Sequence, residues 1–571
     1  MHKMALARRL GLLGVSLAAL ALSQGVRAED GPDHAAQNAA DHIKTASPIK
    51  HVLIIVGENR SFDHLFATYV PKSDDERVLN LLSERIVKVD GTPNEAFDRA
   101  HQFQITSAPN GGKFFISAGS ANKSLYSMLP APDLGGVQNP PAAAILGLPG
   151  GDPGLPAADQ FLFGTGGTGL PNNLGPDTRI TNVNTLPPGP FQLTGPTMPY
   201  DAYTADTIHQ FFQMYQQMDC AIDAEHVTRR NPTGCLHDLQ SAITTTYSTP
   251  PGGTPHDTGQ TMAFFNMQKG DVPYLKFLAD NYSMSDNYHQ PVMGGTGPDS
   301  VPLGFADQVF FGDGHGNAAT PPATSTPSPA GAIPPVTMTS IGDLLSAKNI
   351  PWKYYGGSYN VSGTGTPLDG IYCNICNPFE YQLNYPAMRA DHMRDVTDLF
   401  QDLKNGTLPA VSYVKPDGAL DGHPASSKFG LFEAFAKNII ELAQGNKEQW
   451  ESTAIFVTVD EGGGYYDSGF IQPVDFFGTG PRIPMIAVSP FSRGGHVTHV
   501  YGEHSSFVKF VERNWYLGKL SQRSRDNLPN PRADDDHPYV PVNMPAIGDL
   551  FDMFDFDRDH DHDRDGDRDS R

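Results

Sequence analysis

The chain has 571 residues and a formal net charge of −23, from 63 acidic against 40 basic side chains. That balance argues against general binding to nucleic acid or anionic lipid, which needs clustered Lys and Arg. A 39% hydrophobic and 10% aromatic share excludes wholesale disorder, and 58 Gly with 49 Pro signal long ordered loops without collagen's period.

The first segment reads as an export signal over residues 1–28. Lys3, Arg8 and Arg9 precede the apolar run Leu10–Leu22, and Val26-Arg27-Ala28 offers a small-residue cleavage site. The run is too short to span a bilayer, and no later stretch is long and apolar enough. The expected location is therefore exported, periplasmic or secreted, without a transmembrane segment in the mature chain. Residues 29–47 read as a polar linker.

His51–Val56 (HVLIIV) is a continuous apolar run, the pattern of a buried parallel strand. Ser61 is a good N-cap for a helix over Phe62–Tyr69. Further helices are predicted at Pro273–Asn281, Met338–Lys348, Met393–Lys404, Gly430–Ala443 and Ser505–Trp515. Strands are predicted at Trp352–Tyr355, Ala410–Val414, Ala454–Val459 and Ile483–Val488. Alternation of this kind predicts an α/β domain layered around a largely parallel sheet. That domain spans 48–548, with Pro/Gly-rich insertions near 105–200 and 313–336. Residues 549–571 read as an acidic, disordered tail. No repeat of 20–50 residues is present.

Four cysteines permit three pairings, of which an oxidising compartment favours Cys220–Cys235 with Cys373–Cys376. The second pair, CNIC, has a spacing that zinc and redox sites also use.

Carboxylates follow two of the buried strands. His51–Val56 runs into Gly57-Glu58-Asn59, and Ala454–Val459 runs into Asp460-Glu461-Gly462. Ligands of open α/β sheets bind beyond the carboxyl ends of strands. Four hard oxygen donors gathered there suit Mg²⁺, Mn²⁺ or Ca²⁺, and carboxylates also serve Zn²⁺. Gly294-Gly295-Thr296-Gly297-Pro298 puts a hydroxyl in a glycine turn where a backbone can approach an anion, which makes Thr296 a candidate nucleophile. His423 lies just past a strand, His504 at a helix entrance, and His209 before a helical stretch. Each is a candidate for proton transfer. No GxSxG, Walker A or GxGxxG motif competes.

The stretch Val56-Gly57-Glu58-Asn59-Arg60-Ser61-Phe62-Asp63-His64 resembles the signature of the bacterial phosphoesterase family. That family contains phospholipases C and a secreted acid phosphatase and is similar to the alkaline phosphatase superfamily. Further similar segments follow in the same order: Asp286 with Thr296, Asp421-Gly422-His423-Pro424, Asp460-Glu461-Gly462-Gly463-Gly464, Gly480-Pro481-Arg482 and Glu503-His504-Ser505. The resemblance implies a three-layer α/β/α sandwich of the alkaline phosphatase kind. It also implies a divalent metal (Ca, Mg, Mn or Zn) on Glu58, Asn59, Thr296, Asp460 and Glu461. Thr296 would be the nucleophile, forming a phosphoenzyme, with His423, His504 and His209 facing the phosphate. Two departures stand out: Asp299 where phospholipase relatives have Asn, and Ser468 after Asp467 where they often have His.

The sequence thus predicts an exported, metal-dependent phosphoesterase, with phospholipase C-like cleavage of phosphodiesters, a phospholipid among them. The alternatives are an acid phosphatase acting on soluble monoesters and, from another class, a non-catalytic secreted calcium-binding protein.

Overall fold

Seven consecutive residues, HVLIIVG, are buried throughout, as a central strand covered on both faces requires. The computed structural model describes residues 40–102, 260–308, 336–359 and 372–557 (apart from 425, 426, 473 and 476), with parts of 180–243. The signal segment, most of both insertions and residues 558–571 lie outside the described residues.

Ten strands are present among the described residues: β1 (His51–Gly57), β2 (Phe191–Gln192), β3 (Ala263–Phe264), β4 (Ser283–Ser285), β5 (Trp352–Gly356), β6 (Met393–Asp395), β7 (Val411–Lys415), β8 (Thr453–Val459), β9 (Met485–Val488) and β10 (Val497–Thr498). Eight form one sheet in the order β10-β4-β9-β8-β1-β7-β5-β6, and β2 and β3 form a separate parallel pair. Within the large sheet β9 runs antiparallel to β8 and β4, whereas every other pairing is parallel.

Strand β5 shows how the helices divide between the faces. Trp352 and Tyr354 turn to one face, where Trp352 packs on Phe379 and against Gly342 of the Ile341–Ala347 helix. Lys353 and Tyr355 turn to the other and both bond Asp402 of the Val396–Asn405 helix. This period-2 alternation makes a helix–sheet–helix sandwich. Phe456 of β8 packs on Phe507 and Phe510 of the Ser505–Asn514 helix, and Tyr413 of β7 donates to Leu303 of the Thr296–Phe305 helix.

Register decides where chemistry can occur. Gly57 sits opposite Val459 and Ile55 opposite Val414. The residues after β1, β8 and β7 therefore emerge side by side at one edge.

Several boundaries differ from expectation for local reasons. The first helix stops at Phe66, short of the β-branched Thr68 and Val70 and of Pro71. Residues 393–395 form strand β6, and the helix starts at Val396 because Asp395 and Asp398 make a capping box. Ser340 and Asp343 do the same for the helix at Ile341. The strand expected from Ile483 begins at Met485, after Pro484, which has no N–H for a ladder. Packing extends beyond the expected limits of 48 and 548. Ala40 is buried, Ser47 bonds Asn514 at 2.6 Å, and Met553 and Phe554 are buried. The end of the first insertion is also integral, since Phe191, Leu193, Met198 and Tyr203 are core residues. Cys220–Cys235 and Cys373–Cys376 are both disulfides. No described helix is long and apolar enough to cross a membrane.

Candidate active site

Backbone bonds stitch the three strand ends together. Glu58 N–H donates to the Asp421 carbonyl at 2.8 Å, and Arg60 N–H donates to the Glu461 carbonyl at 2.9 Å. Asn59 adopts φ +45°, a left-handed conformation that Asn tolerates better than most residues. Gly463 has φ +60°, and a Cβ there would lie 2.7 Å from Asn59 Cβ, so the glycine run after Asp460-Glu461 keeps the two loops in contact. Thr207, Gln240 and Thr261 bond the Gly463 and Gly464 carbonyls from the other side.

Five expected ligands meet here. Thr296 Oγ1 lies 3.3 Å from Glu58 Oε2 and 3.4 Å from Glu461 Oε1. The Asn59 side-chain oxygen faces Glu58 Oε2 at 2.6 Å and Asp460 Oδ1 at 3.1 Å. Asp460 Oδ1 also accepts from Glu461 N–H at 2.8 Å and Asn59 N–H at 3.3 Å. Asp460 Oδ2 and Glu461 Oε2 are buried with no hydrogen-bond partner. Oxygens facing oxygens in a dry site repel unless a cation sits among them or the Asn59 amide turns over. Burial raises the Asp460 and Glu461 carboxyls well above the usual range, with Glu58 reinforcing the first and Asp460 the second. The donor set and its orphaned oxygens fit a hard divalent ion on Glu58, Asn59, Thr296, Asp460 and Glu461.

Thr296 is the first residue of its helix rather than part of a loop, with Gly295 as the N-cap. Its hydroxyl thus stands where first-turn N–H groups lack intrahelical acceptors and favour negative charge. Asp299, the departure noted above, faces inward and accepts from Val292 N–H at 2.9 Å. Burial and then Asp460 push its carboxyl well above the usual range.

The three histidines take different places. His423 Nε2 lies 3.1 Å from the Asn59 amide, while Nδ1 bonds the Pro424 carbonyl at 2.6 Å. Burial opposes its protonation, yet Asp206, Glu58 and Asp421 outweigh this and raise its pKa. His209 Nδ1 bonds the Thr207 carbonyl, and Nε2 lies 3.6 Å from Glu461 Oε1. The rings of His209 and His423 stand 6.3 Å apart. His504 does not match its expected role at the phosphate. Its Nε2 bonds the Asp460 carbonyl at 2.9 Å and its Nδ1 the Tyr288 hydroxyl at 3.0 Å. Both nitrogens are engaged behind Asp460, and burial drives the pKa down to about 3. Asp286 also stands away from the cluster, bonded to His499, Tyr539 and Leu79 N–H.

Sequence reasoning missed Lys415, whose Nζ lies 2.5 Å from Glu58 Oε1. Burial opposes the Glu58 carboxylate, but Lys415 and His423 outweigh it and lower its pKa. A lysine closing a fully buried strand, VSYVK, was the available signal. Also missed was Asp206, 3.5 Å from His209 Nδ1.

The phosphoesterase family profile matches residues 166–518, which include Thr296, His423, Asp460, Glu461 and His504. The chain is 27% identical over 349 residues to the hemolytic phospholipase C of Pseudomonas aeruginosa, covering 52% of this chain and 43% of that one. It is 26% identical over 351 residues to the non-hemolytic phospholipase C of Burkholderia pseudomallei, covering 52% and 45%. An acid phosphatase of Aspergillus fumigatus is 25% identical over 198 residues, covering 33% and 42%. The chain thus spans less than half the length of these relatives. The lipoteichoic acid synthase LtaP from Listeria monocytogenes aligns at 14% identity and a TM-score of 0.27, over 52% of this chain and 85% of that one, so the architecture rests on the sheet described above. With its profile match extending over more than half of the sequence, the chain belongs to the phosphoesterase family.

Proposed function

We propose that the protein is an exported, metal-dependent phosphoesterase that cleaves phosphodiesters in the manner of a phospholipase C. The observation that carries this reading is the placing of the Thr296 hydroxyl against Glu58 and Glu461 at the edge where three central strands end. A divalent ion held by Glu58, Asn59, Asp460, Glu461 and Thr296 would supply charge neutralisation and lower the hydroxyl pKa. Thr296, its hydroxyl proton lost to solvent, attacks phosphorus in line, and the P–O bond to the departing alcohol breaks. A phosphothreonine that still carries the substrate's other ester group remains; on its hydrolysis the threonine oxygen takes a proton back from solvent. His423, whose pKa the carboxylates around it raise against the effect of burial, gives its Nε2 proton to the departing alkoxide. It then takes a proton from the water that hydrolyses the phosphothreonine. His209 lines the same opening, and His504 holds the Asp460 backbone in place. Two disulfides suit an oxidising compartment.

The acid phosphatase relative favours a second substrate class, soluble monoesters, for the same chemistry. A panel of phosphatidylcholine, p-nitrophenyl phosphorylcholine and p-nitrophenyl phosphate, run after chelation with each divalent ion added back, separates the two. Thr296→Ala is expected to lower turnover by ~10³-fold or more with unchanged folding. Near-normal hydrolysis by that variant would remove the nucleophile.

A further inference from the structure

Glu58 presents its two oxygens to different worlds. Oε2 faces the Asn59 amide at 2.6 Å and the Thr296 hydroxyl at 3.3 Å. Oε1 faces away, 2.5 Å from Lys415 Nζ and 3.3 Å from Cys376 Sγ of the Cys373–Cys376 disulfide. Lys415 is the last residue of β7 and shares a face with Tyr413, whose hydroxyl bonds the Thr296–Phe305 helix. Its side chain is only 4% exposed, with Asp421 Oδ2 at 3.7 Å beyond it. An ammonium this deep in the fold persists only when paired.

We propose that Lys415 is a positioning residue of the cation site: it holds Glu58 Oε1, limits Glu58 to one inward oxygen, and so reserves a coordination position for Thr296. The inference rests on the metal-dependent reading above. A carboxylate with both oxygens free can grip a divalent ion in bidentate fashion, and doing so here would compete with the hydroxyl for the same ion. The disulfide closes the remaining approach to Oε1, so ammonium and disulfide together form the rear wall of the site. Lys415 also offsets one of the three carboxylates, Glu58, Asp460 and Glu461, that converge there. Removing it therefore leaves the cation bound at least as firmly while the nucleophile loses its place. A purely structural lysine would give the opposite pattern, with metal binding and fold weakened together.

The test uses the full chain and compares wild type, Lys415→Met and Lys415→Arg. Each is titrated with Mn²⁺ while its thermal midpoint is followed, and kcat and KM are measured on p-nitrophenyl phosphorylcholine. The expected result for Lys415→Met is Mn²⁺ binding as tight as wild type or tighter, with kcat down ~10–100-fold and KM little changed. Lys415→Arg, which keeps the charge, should recover most of that loss. Wild-type kcat in Lys415→Met, or weakened Mn²⁺ binding in a folded Lys415→Met, overturns the proposal. Should Lys415→Met fail to fold, Lys415→Gln takes its place: retained Mn²⁺ binding with a lowered kcat upholds the role, and wild-type kcat or weakened Mn²⁺ binding overturns it. If the wild type itself shows no metal-dependent hydrolysis, the functional reading fails separately, and the Mn²⁺ titration of Lys415→Met alone settles the lysine's role.

Discussion

Two buried acidic clusters lie in the segments that follow β1 and β8, and they handle charge differently. In one, Asp63 and Asp467 share Arg482: Nε and Nη2 reach Asp467 at 3.0 and 3.1 Å, and Nη2 reaches Asp63 at 3.2 Å. Ser468 and the Gly469 N–H bond the same carboxylates, and the guanidinium lies over the Phe62 ring. In the other, Lys415 lies against Glu58 and His209 lies 3.6 Å from Glu461, and Asp460 Oδ2 and Glu461 Oε2 have no hydrogen-bond partner, against one such oxygen, Asp63 Oδ1, in the first. Burial penalises both clusters. Arg482 overcomes that penalty at Asp467, lowering its pKa, but not at Asp63, which is pushed up to about 7; Lys415 and His423 overcome it at Glu58, while Asp460 and Glu461 stay well above the usual range. Where the chain sets a guanidinium between two carboxylates the cluster is tied together; where it supplies less positive charge, the cluster is left suited to an added cation.

The sharpest way to break this contrast is Arg482→Met. It leaves Asp63 and Asp467 buried and unpaired, and urea unfolding at pH 7 should show a loss of ~3–5 kcal/mol that added divalent ion does not restore. At the open cluster the pattern reverses. A divalent ion at about 100 times its Kd should stabilise wild type by ~2.7 kcal/mol, read as a rise in thermal midpoint, and Asp460→Asn should abolish that rise while barely moving the metal-free midpoint. A rise that persists in Asp460→Asn would place the ion elsewhere. The smallest expected effect is at a third, intermediate case, where the cation comes and goes with pH. His499 Nδ1 lies 2.7 Å from Asp286 Oδ1, and although burial opposes its charge, Asp286 raises its pKa. A raised histidine pKa contributes stability that is full below ~6.5 and is lost as pH rises through the folded value. His499→Ala should therefore cost about 1 kcal/mol near pH 6 and less at pH 8, measured by urea unfolding.

How much of this was legible in the sequence follows from what each residue's role depends on. Glu58-Asn59 and Asp460-Glu461 were readable because unbroken apolar runs mark the strands, and parallel register carries whatever follows them to one edge. Thr296 was readable from its glycines, though its place at the start of a helix was not. Strands β4 and β10, at three and two residues, leave no periodicity to detect, so the antiparallel turn of β9 was hidden too. His504 illustrates the limit for single side chains. Its position at a helix entrance was correct, but only the packing of Tyr288 and the Asp460 carbonyl reveals that neither nitrogen is available. The partner of Lys415 was hidden for a related reason, because pairing across strands depends on neighbours far away along the chain.

The register between β1 and β8 has a temporal consequence. Asn59 meets an acceptor 401 positions later, and Glu58 leaves the ribosome long before the carboxylates it must join. A nascent or truncated polypeptide lacking β8 owns only half of this oxygen cluster. Its assembly is thereby postponed until most of the polypeptide has been made.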